Sequence, residues 1–335
     1  MTRVAVMGSG SWGTTFAIVL ANAGAEVRLW GRNPEVCTEI SEQHTNTRYL
    51  GDTRLPDTVD ASTDTAAVLD GADIVVLAIP SQTLRDNLAR WAPALPPRAV
   101  LVSLMKGVEH GTHLRMSEVV RQVAGVGPER VAVVSGPNLA REIAVRQPTA
   151  TVVACEDPVA AELVAATCSA RYFRPYTNTD VVGVELGGAV KNVIALAVGI
   201  AEGMGMGDNT KATIITRGLA ETTRLGTALG AHPATLAGLA GLGDLVATCY
   251  SPLSRNRTLG VALGRGLDLT QATAVAKHTA EGVRSCGPIL ELARLHGVDM
   301  PITEQVVYVV RTEGHVSIRD IGVRLLERPR KPEGA

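Results

Sequence analysis

Four stretches of the sequence carry side chains able to act on a small polar substrate. Lys191, followed by Asn192, stands in an apolar run over residues 180–204. An ammonium in such a run must reach water or find a partner, because an unpaired buried charge is costly. Glu185 shares the run but is off the four-residue helical spacing. The run therefore holds either a lysine facing an interdomain cleft or one that reaches the domain surface. Lys106 follows a second apolar run, 99–104, in Met105-Lys106-Gly107. It reads as a ligand contact or as a solvated lysine at a strand end. Glycines in the stretch 238–245 surround one acid, Asp244. Ser254-Arg255-Asn256-Arg257 opens a helix, where a serine cap, free N–H groups and Arg255 can hold an anion. The plainer alternative there is a capped surface helix with solvated arginines. Together these groups offer a cation for a developing oxyanion, a proton source, an orienting acid and an anion cradle.

The elements that must position them fall into two kinds. Val4-Ala5-Val6-Met7 is a short apolar strand, and Gly8-Ser9-Gly10-Ser11-Trp12-Gly13 follows it at once. A helix over 14–23, ended by Gly24, and a strand over 25–30 complete a dinucleotide-binding unit. Gly8 permits the tight turn, Gly10 lets the backbone approach a pyrophosphate, and Gly13 lets helix and strand pack closely. The helix start then points free N–H groups at the phosphates. The second strand ends in Trp30-Gly31-Arg32-Asn33, where NAD-specific sites often carry an acid. Arg32 suits a 2′-phosphate, so NADPH is expected to be preferred over NADH; the alternative is a solvated loop arginine. Asn33 and Glu35 are too ambiguous to restore strict NAD specificity.

Further strands are expected over 73–79, 99–104 and 131–135, and less distinctly over 149–155 and 171–174 around a helix at 158–167. The ends of the first three, including Lys106 and Gly136-Pro137-Asn138, would line one edge of a parallel sheet, where such folds bind ligands; the last two would extend the domain. Ser81 reads as the cap of a helix through Leu84 and Leu88. The period turns helical after about residue 178. Helices are expected over 180–204, loosened at Gly187-Gly188, and then over 208–225, 233–239, 254–263, 288–296, 301–313 and 318–327. The class is α/β, a nucleotide-binding domain followed by a mainly α-helical one.

Composition excludes several alternatives. The 335 residues are 46% hydrophobic, enough for two cored domains, and the net charge of -1 gives no general attraction to nucleic acid or anionic lipid. Aromatics at 3% offer no base-stacking platform. The five widely spaced cysteines are an odd count and suggest no disulfide framework. No H-E-x-x-H or C-x-x-C occurs, so no metal site is expected. Charged residues or glycines break the apolar stretches before membrane-spanning length, and with no basic leader at the start a cytoplasmic protein is expected.

In their joint order these segments resemble the bacterial NAD(P)-dependent glycerol-3-phosphate dehydrogenases over almost the whole chain. The shared motifs are Gly8-Ser9-Gly10-Ser11-Trp12-Gly13-Thr14, Lys106-Gly107, Ser135-Gly136-Pro137-Asn138-Leu139-Ala140, Val190-Lys191-Asn192, Gly241-Leu242-Gly243-Asp244-Leu245, Ser254-Arg255-Asn256 and Glu281-Gly282. The resemblance implies a Rossmann-type NAD(P)-binding domain over 1–178, a helical substrate and dimerisation domain over 179–328, and a tail over 329–335. It implies Lys191 as the catalytic lysine. Substrate contacts would be Lys106, Gly136, Asn138, Lys191, Asp244, Ser254, Arg255 and Asn256. Nucleotide contacts would be Gly8, Gly10, Ser11, Trp12, Gly13, Arg32, Lys106, Ala140, Arg255 and Glu281. Asn138 stands where the family often has serine or threonine. The implied reaction is reversible hydride transfer between NAD(P)H and dihydroxyacetone phosphate, giving sn-glycerol 3-phosphate for phospholipid synthesis, in a homodimer without metal. The rivals are a 6-phosphogluconate- or 3-hydroxyacid-type dehydrogenase, which the Ser254 and Gly241 motifs disfavour, and an NADPH-binding redox sensor that transfers no hydride.

Overall fold

The structure, a computed structural model, describes residues 1–276 and 280–312. Contacts divide the chain into two units, Met1–Glu109 with Leu114–Glu185, and His110–His113 with the chain from Leu186. In the first unit the order is β1 (Arg3–Met7), α1 (Ser11–Asn22), β2 (Glu26–Trp30), α2 (Pro34–Thr38), β3 (Thr45–Asn46), α3 (Thr47–Leu50), β4 (Gly51–Arg54), β5 (Val59–Ser62) and α4 (Thr65–Leu69). It continues with β6 (Ile74–Leu77), α5 (Leu84–Trp91), β7 (Val100–Ser103), α6 (Met116–Ala124), β8 (Val131–Ser135), α7 (Ala140–Ala144), β9 (Thr149–Ala154), α8 (Pro158–Cys168) and β10 (Phe173–Asn178). Helix α9 (Val181–Gly203) begins in the first unit and runs into the second. There follow α10 (Asp208–Ala228), α11 (Pro233–Ala237), α12 (Asp244–Tyr250), α13 (Arg255–Gly264), α14 (Leu269–Val275), α15 (Glu281–Leu295) and α16 (Pro301–Arg311).

The main sheet has the order β10-β9-β8-β7-β6-β1-β2-β5. The chain builds outward from β1 through β2 to β5, then crosses back to β6 on the other side. That reversal is where doubly wound folds leave a crevice for ligands. Apolar residues fill β6, β7 and β8 on both faces, as strands covered by helices on both sides require. Alternation splits β1 and β6 between two cores. Val4, Val6, Ile74 and Val76 pack with Phe16 on one face, and Ala5, Met7, Val75 and Leu77 with Trp91 on the other. Each such side chain contributes about 1.5–3 kcal/mol. In the second unit α9 is the core element, with Val190, Val193, Ile194, Ala195 and Leu196 fully buried.

The strands from β5 through β8 pair parallel, as expected, and β9 then joins β8 antiparallel. The link between β8 and β9 doubles back through Gly136, at φ 147°, and the five-residue α7. Several other sequence expectations need correction. Ser81 is not the cap of α5; it opens a single 3-10 turn, and Thr83 holds the cap position. Helix α9 is unbroken at Gly187-Gly188. By length and composition α9 could cross a membrane, at a mean hydropathy of 1.7, but 94% of its most apolar window is buried, which makes it a core helix. Helix α15 starts at Glu281, seven residues before the expected start, and carries Pro288 in its interior. Proline forfeits one helical hydrogen bond, and burial of Ile289, Leu290, Leu292 and Ala293 holds the helix together across it. The expected helix at 318–327, the tail at 329–335 and Glu313 lie outside the described residues.

Candidate active site

In the first unit the expected nucleotide residues gather at the carboxyl ends of neighbouring strands. Gly8 at φ 138° and Gly13 have no room for a side chain: an added Cβ would collide with the Ala78 carbonyl and the Gly8 carbonyl respectively. Gly10 differs, since a Cβ there meets nothing within 4 Å. Gly10 is also the N-cap of α1, in extended backbone, and no acid stands in that helix's first turn. Packing therefore explains two of the glycines, whereas an approaching anionic group explains the third. Asn46 braces this loop by donating to Ser9 O at 3.0 Å and to Thr14 Oγ1 at 2.8 Å. Trp12 lies against Phe16, and its indole Nε1 is buried without a hydrogen-bond partner. These features fit a dinucleotide.

The end of β2 shows how Asn33 is used. Asn33 caps α2 by accepting the Glu35 N–H at 2.9 Å, so its side chain is engaged locally. Arg32 is exposed, which suits an anion contact and a solvated loop arginine alike. At the ends of β7 and β8, Lys106 Nζ donates to Gly136 O at 3.2 Å. Beside it the Asn138 amide has both its nitrogen and its oxygen buried without a partner. Leaving such groups unpaired costs about 1–3 kcal/mol each, so a polar ligand is their natural complement. Ala140 O accepts from Thr15 Oγ1 at 3.2 Å, which ties α7 to α1.

In the second unit the expected catalytic groups meet. Lys191 is 8% exposed, and Nζ donates to Asp244 Oδ1 at 2.5 Å and to Thr248 Oγ1 at 2.6 Å. Glu185 is not its partner. Asp244 is completely buried at the start of α12, one helical turn from Thr248. The preceding π turn, Leu239–Gly243, sits so close to α9 that a Cβ on Gly187 would meet the Ala240 carbonyl at 2.6 Å. Cys249, next in line, is pushed up to about 12 by burial and is inert as a thiolate.

Helix α13 opens as the sequence suggests, with Ser254 Oγ accepting the Arg257 N–H at 3.2 Å. The two arginines there divide their work. Arg257 pairs with Glu202 at 2.7 Å, while Arg255 is exposed at the first helical position. Asn256 is buried and bonded to Asn192 and to the N–H of Gly282, one residue after Glu281. Glu281 stands in the first turn of α15.

Sequence reasoning missed Thr248, the bond between Asn192 and Asn256, and the setting of Glu185. Thr248 was detectable, because Asp244-x-x-x-Thr248 places two polar groups on one face of an otherwise apolar helix. Glu185 accepts from Ser117 N at 2.8 Å, Ser117 Oγ at 2.6 Å and Arg115 at 3.0 Å, a constellation some seventy residues away in sequence. Burial pushes the Glu185 carboxyl up, and Arg115 and Ser117 oppose that. Burial also works against the Arg115 charge, but Glu185 and Glu118 outweigh it and hold the guanidinium above its ordinary value. Among the described residues no group of three His, Cys, Asp or Glu could hold a metal ion.

Comparison with known proteins covers both units. Residues 3–161 match the family described as NAD-dependent glycerol-3-phosphate dehydrogenase N-terminus, and residues 180–318 match its C-terminus. The chain is 63% identical over 332 residues to a glycerol-3-phosphate dehydrogenase (NAD(P)+) of Streptomyces griseus, covering 99% of this chain and 98% of that one. It is 63% identical over 308 residues to that of Thermobifida fusca, covering 92% of each. A crystal structure of glycerol-3-phosphate dehydrogenase from Coxiella burnetii superposes with a TM-score of 0.92 at 37% identity, covering 98% of this chain and 99% of that one. The chain belongs to the NAD-dependent glycerol-3-phosphate dehydrogenase family.

Proposed function

We propose that the chain catalyses reversible, NAD(P)H-linked reduction of dihydroxyacetone phosphate to sn-glycerol 3-phosphate, as a cytoplasmic homodimer supplying phospholipid synthesis. Residues 1–178 bind the nucleotide in this reading, and 179–328 bind substrate and form the dimer. The observation that carries it is the buried ammonium of Lys191, held by Asp244 and Thr248. An ammonium has three N–H donors, and two are committed to those partners. The third serves the substrate's C2 oxygen.

The chemistry that a reduced nicotinamide would supply, when bound, is a hydride for C2. Lys191 meets the negative charge that develops on the oxygen and hands over a proton from Nζ; in reverse, the neutral amine takes that proton back. Asp244 and Thr248 fix the amine, so it need not reorganise during the step. Arg255, Ser254 and the N–H groups opening α13, including that of Asn256, hold the phosphate. Asn138 and Gly136 meet the substrate hydroxyl and backbone region, with Lys106 beside them as a second cation. A nucleotide would be held by the loop of Gly8, Gly10, Ser11, Trp12 and Gly13, with Gly10 open to its pyrophosphate, by Arg32 at the 2′-phosphate of NADPH, and by Ala140, Lys106, Arg255 and Glu281. No metal takes part in this scheme.

The test is absorbance at the reduced-nicotinamide band with purified protein, dihydroxyacetone phosphate and each cofactor. Substrate-dependent oxidation, faster with NADPH at limiting cofactor, supports the reading. Turnover of 3-hydroxyacids or 6-phosphogluconate without activity on dihydroxyacetone phosphate would reverse it.

A further inference from the structure

Asn46 is a fully buried amide at the end of β3, and its nitrogen is spent on the glycine loop. Nδ2 donates to Ser9 O at 3.0 Å and to Thr14 Oγ1 at 2.8 Å. Thr14 Oγ1 in turn donates to the same Ser9 oxygen at 3.2 Å. One loop carbonyl is thus held by two side chains that also hold each other. Asn46 Oδ1 is buried without a partner, which is costly, so the donors alone orient this amide. Both chain neighbours of Asn46 are fixed as well, because the Glu39 carboxylate accepts from Thr45 Oγ1 at 2.9 Å and from Thr47 N at 2.7 Å.

The consequence falls on the next peptide. The Ser9–Gly10 peptide is trans, so its N–H points opposite to its C=O. Ser9 O is turned inward, toward Asn46 and Thr14, and the Gly10 N–H is therefore turned away from that buried side. Gly10 has open space around it and no side chain to restrict its φ. The glycine that lets an anion approach thus also leaves the peptide before it free to turn over. In the flipped form a carbonyl would stand where the N–H now stands. An anion gains a charge-assisted bond from the one and repulsion from the other.

We propose that Asn46, seconded by Thr14, is a positioning residue for the nucleotide. It locks the Ser9–Gly10 peptide with its N–H, and not its carbonyl, toward the pyrophosphate, and it acts through that peptide without touching the ligand. This rests on the reading that the glycine loop holds the pyrophosphate. Both nicotinamide nucleotides carry that group, so the lock raises affinity for both alike, whereas Arg32 separates them. Lys191 and its partners belong to the other unit, so hydride transfer at saturating cofactor does not depend on the lock.

The experiment measures binding of NADPH, NADH and ADP-ribose by calorimetry for wild type, Asn46→Ala, Thr14→Val and Thr14→Ser, with steady-state kinetics and thermal unfolding beside it. Asn46→Ala should weaken all three ligands by a common factor of roughly 10- to 100-fold, the worth of a hydrogen bond to a charged group. Its kcat at saturating cofactor and its KM for dihydroxyacetone phosphate should stay within about threefold of wild type. Thr14→Val should lose less, roughly 3- to 10-fold, and Thr14→Ser, which keeps the hydroxyl, should bind as wild type does. If Asn46→Ala folds poorly the Thr14 pair decides: a loss in the valine form restored in the serine form supports the lock, and equal affinities contradict it. A folded Asn46→Ala that binds normally and only melts earlier, or that loses NADPH alone, would overturn the proposal and leave the functional reading in place. Wild type that binds none of the three ligands would instead end the reading of the loop as a pyrophosphate site, and the proposal with it.

Discussion

Helix α9 carries two buried charges less than two turns apart, and they are treated differently. Glu185 receives three hydrogen bonds, from Arg115, Ser117 N and Ser117 Oγ, which saturate a carboxylate well. Lys191 gives two of its three protons to Asp244 and Thr248. Both pairs are costly to desolvate, and neither is strong evidence for stability by itself. The difference lies in what remains. A saturated pair has nothing to offer a substrate and reads as structural, while an ammonium with a donor in hand is poised to act on one.

The largest effect on stability should come from the saturated pair. Glu185→Gln leaves Arg115 with Glu118 as its remaining acid partner and Ser117 facing a neutral amide, and should cost roughly 3–5 kcal/mol in unfolding free energy. The kcat of the folded fraction should stay within about twofold, because no reacting group is touched. A large kcat loss without destabilisation would erase the contrast drawn above.

Glu221 sharpens the comparison as a third buried acid. It is 1% exposed and accepts from Ile302 N at 2.7 Å and Thr303 N at 3.3 Å, which caps α16 across eighty residues of chain. Burial pushes its carboxyl up to about 7, against the lowering effects of those N–H groups, the Thr303 hydroxyl and Arg224. A raised carboxyl contributes stability that is fully present below about 4.5 and is lost as pH rises through about 7. Melting curves from pH 4 to pH 8.5 should therefore show wild type losing roughly 3 kcal/mol relative to Glu221→Gln across that window. Parallel pH profiles for the two proteins would show that Glu221 does not titrate there.

The smallest effect belongs to an exposed charge. Arg32→Ala should leave stability nearly unchanged and raise the KM for NADPH about tenfold more than that for NADH. Equal losses for both cofactors would remove its 2′-phosphate role. The contrast then extends to the surface, where a charge that touches only ligand moves only ligand binding.

Much of this was legible in the sequence wherever the cause is local. The strand, glycine loop and helix from Val4 to Asn22 follow from a short apolar run meeting glycines and then a helical period. Helix α9 was placed within one residue at each end, because its apolar spacing is long and Asp180 caps it by accepting the Gly183 N–H at 2.8 Å. Ser254 was read as a cap for the same kind of reason. What stayed hidden is non-local. Nothing near Glu185 in sequence announces Arg115, and nothing near Asn256 announces Gly282. The start of α15 was misplaced because Pro288 imitates a helix N-terminus. The short, polar β3–β4 hairpin and the edge strand β5 have too little apolar alternation to stand out. Lys191 and Asp244 both stand out in the sequence, with Asp244 as an acid to orient either the lysine or a substrate hydroxyl, and the fold places it on the lysine.

The most direct test of the central claim is the turnover of Lys191→Ala with dihydroxyacetone phosphate, measured beside its NADPH affinity and its folding. The account predicts a loss of about 100-fold or more in kcat with cofactor binding largely intact. Near-normal turnover by a correctly folded variant would contradict it.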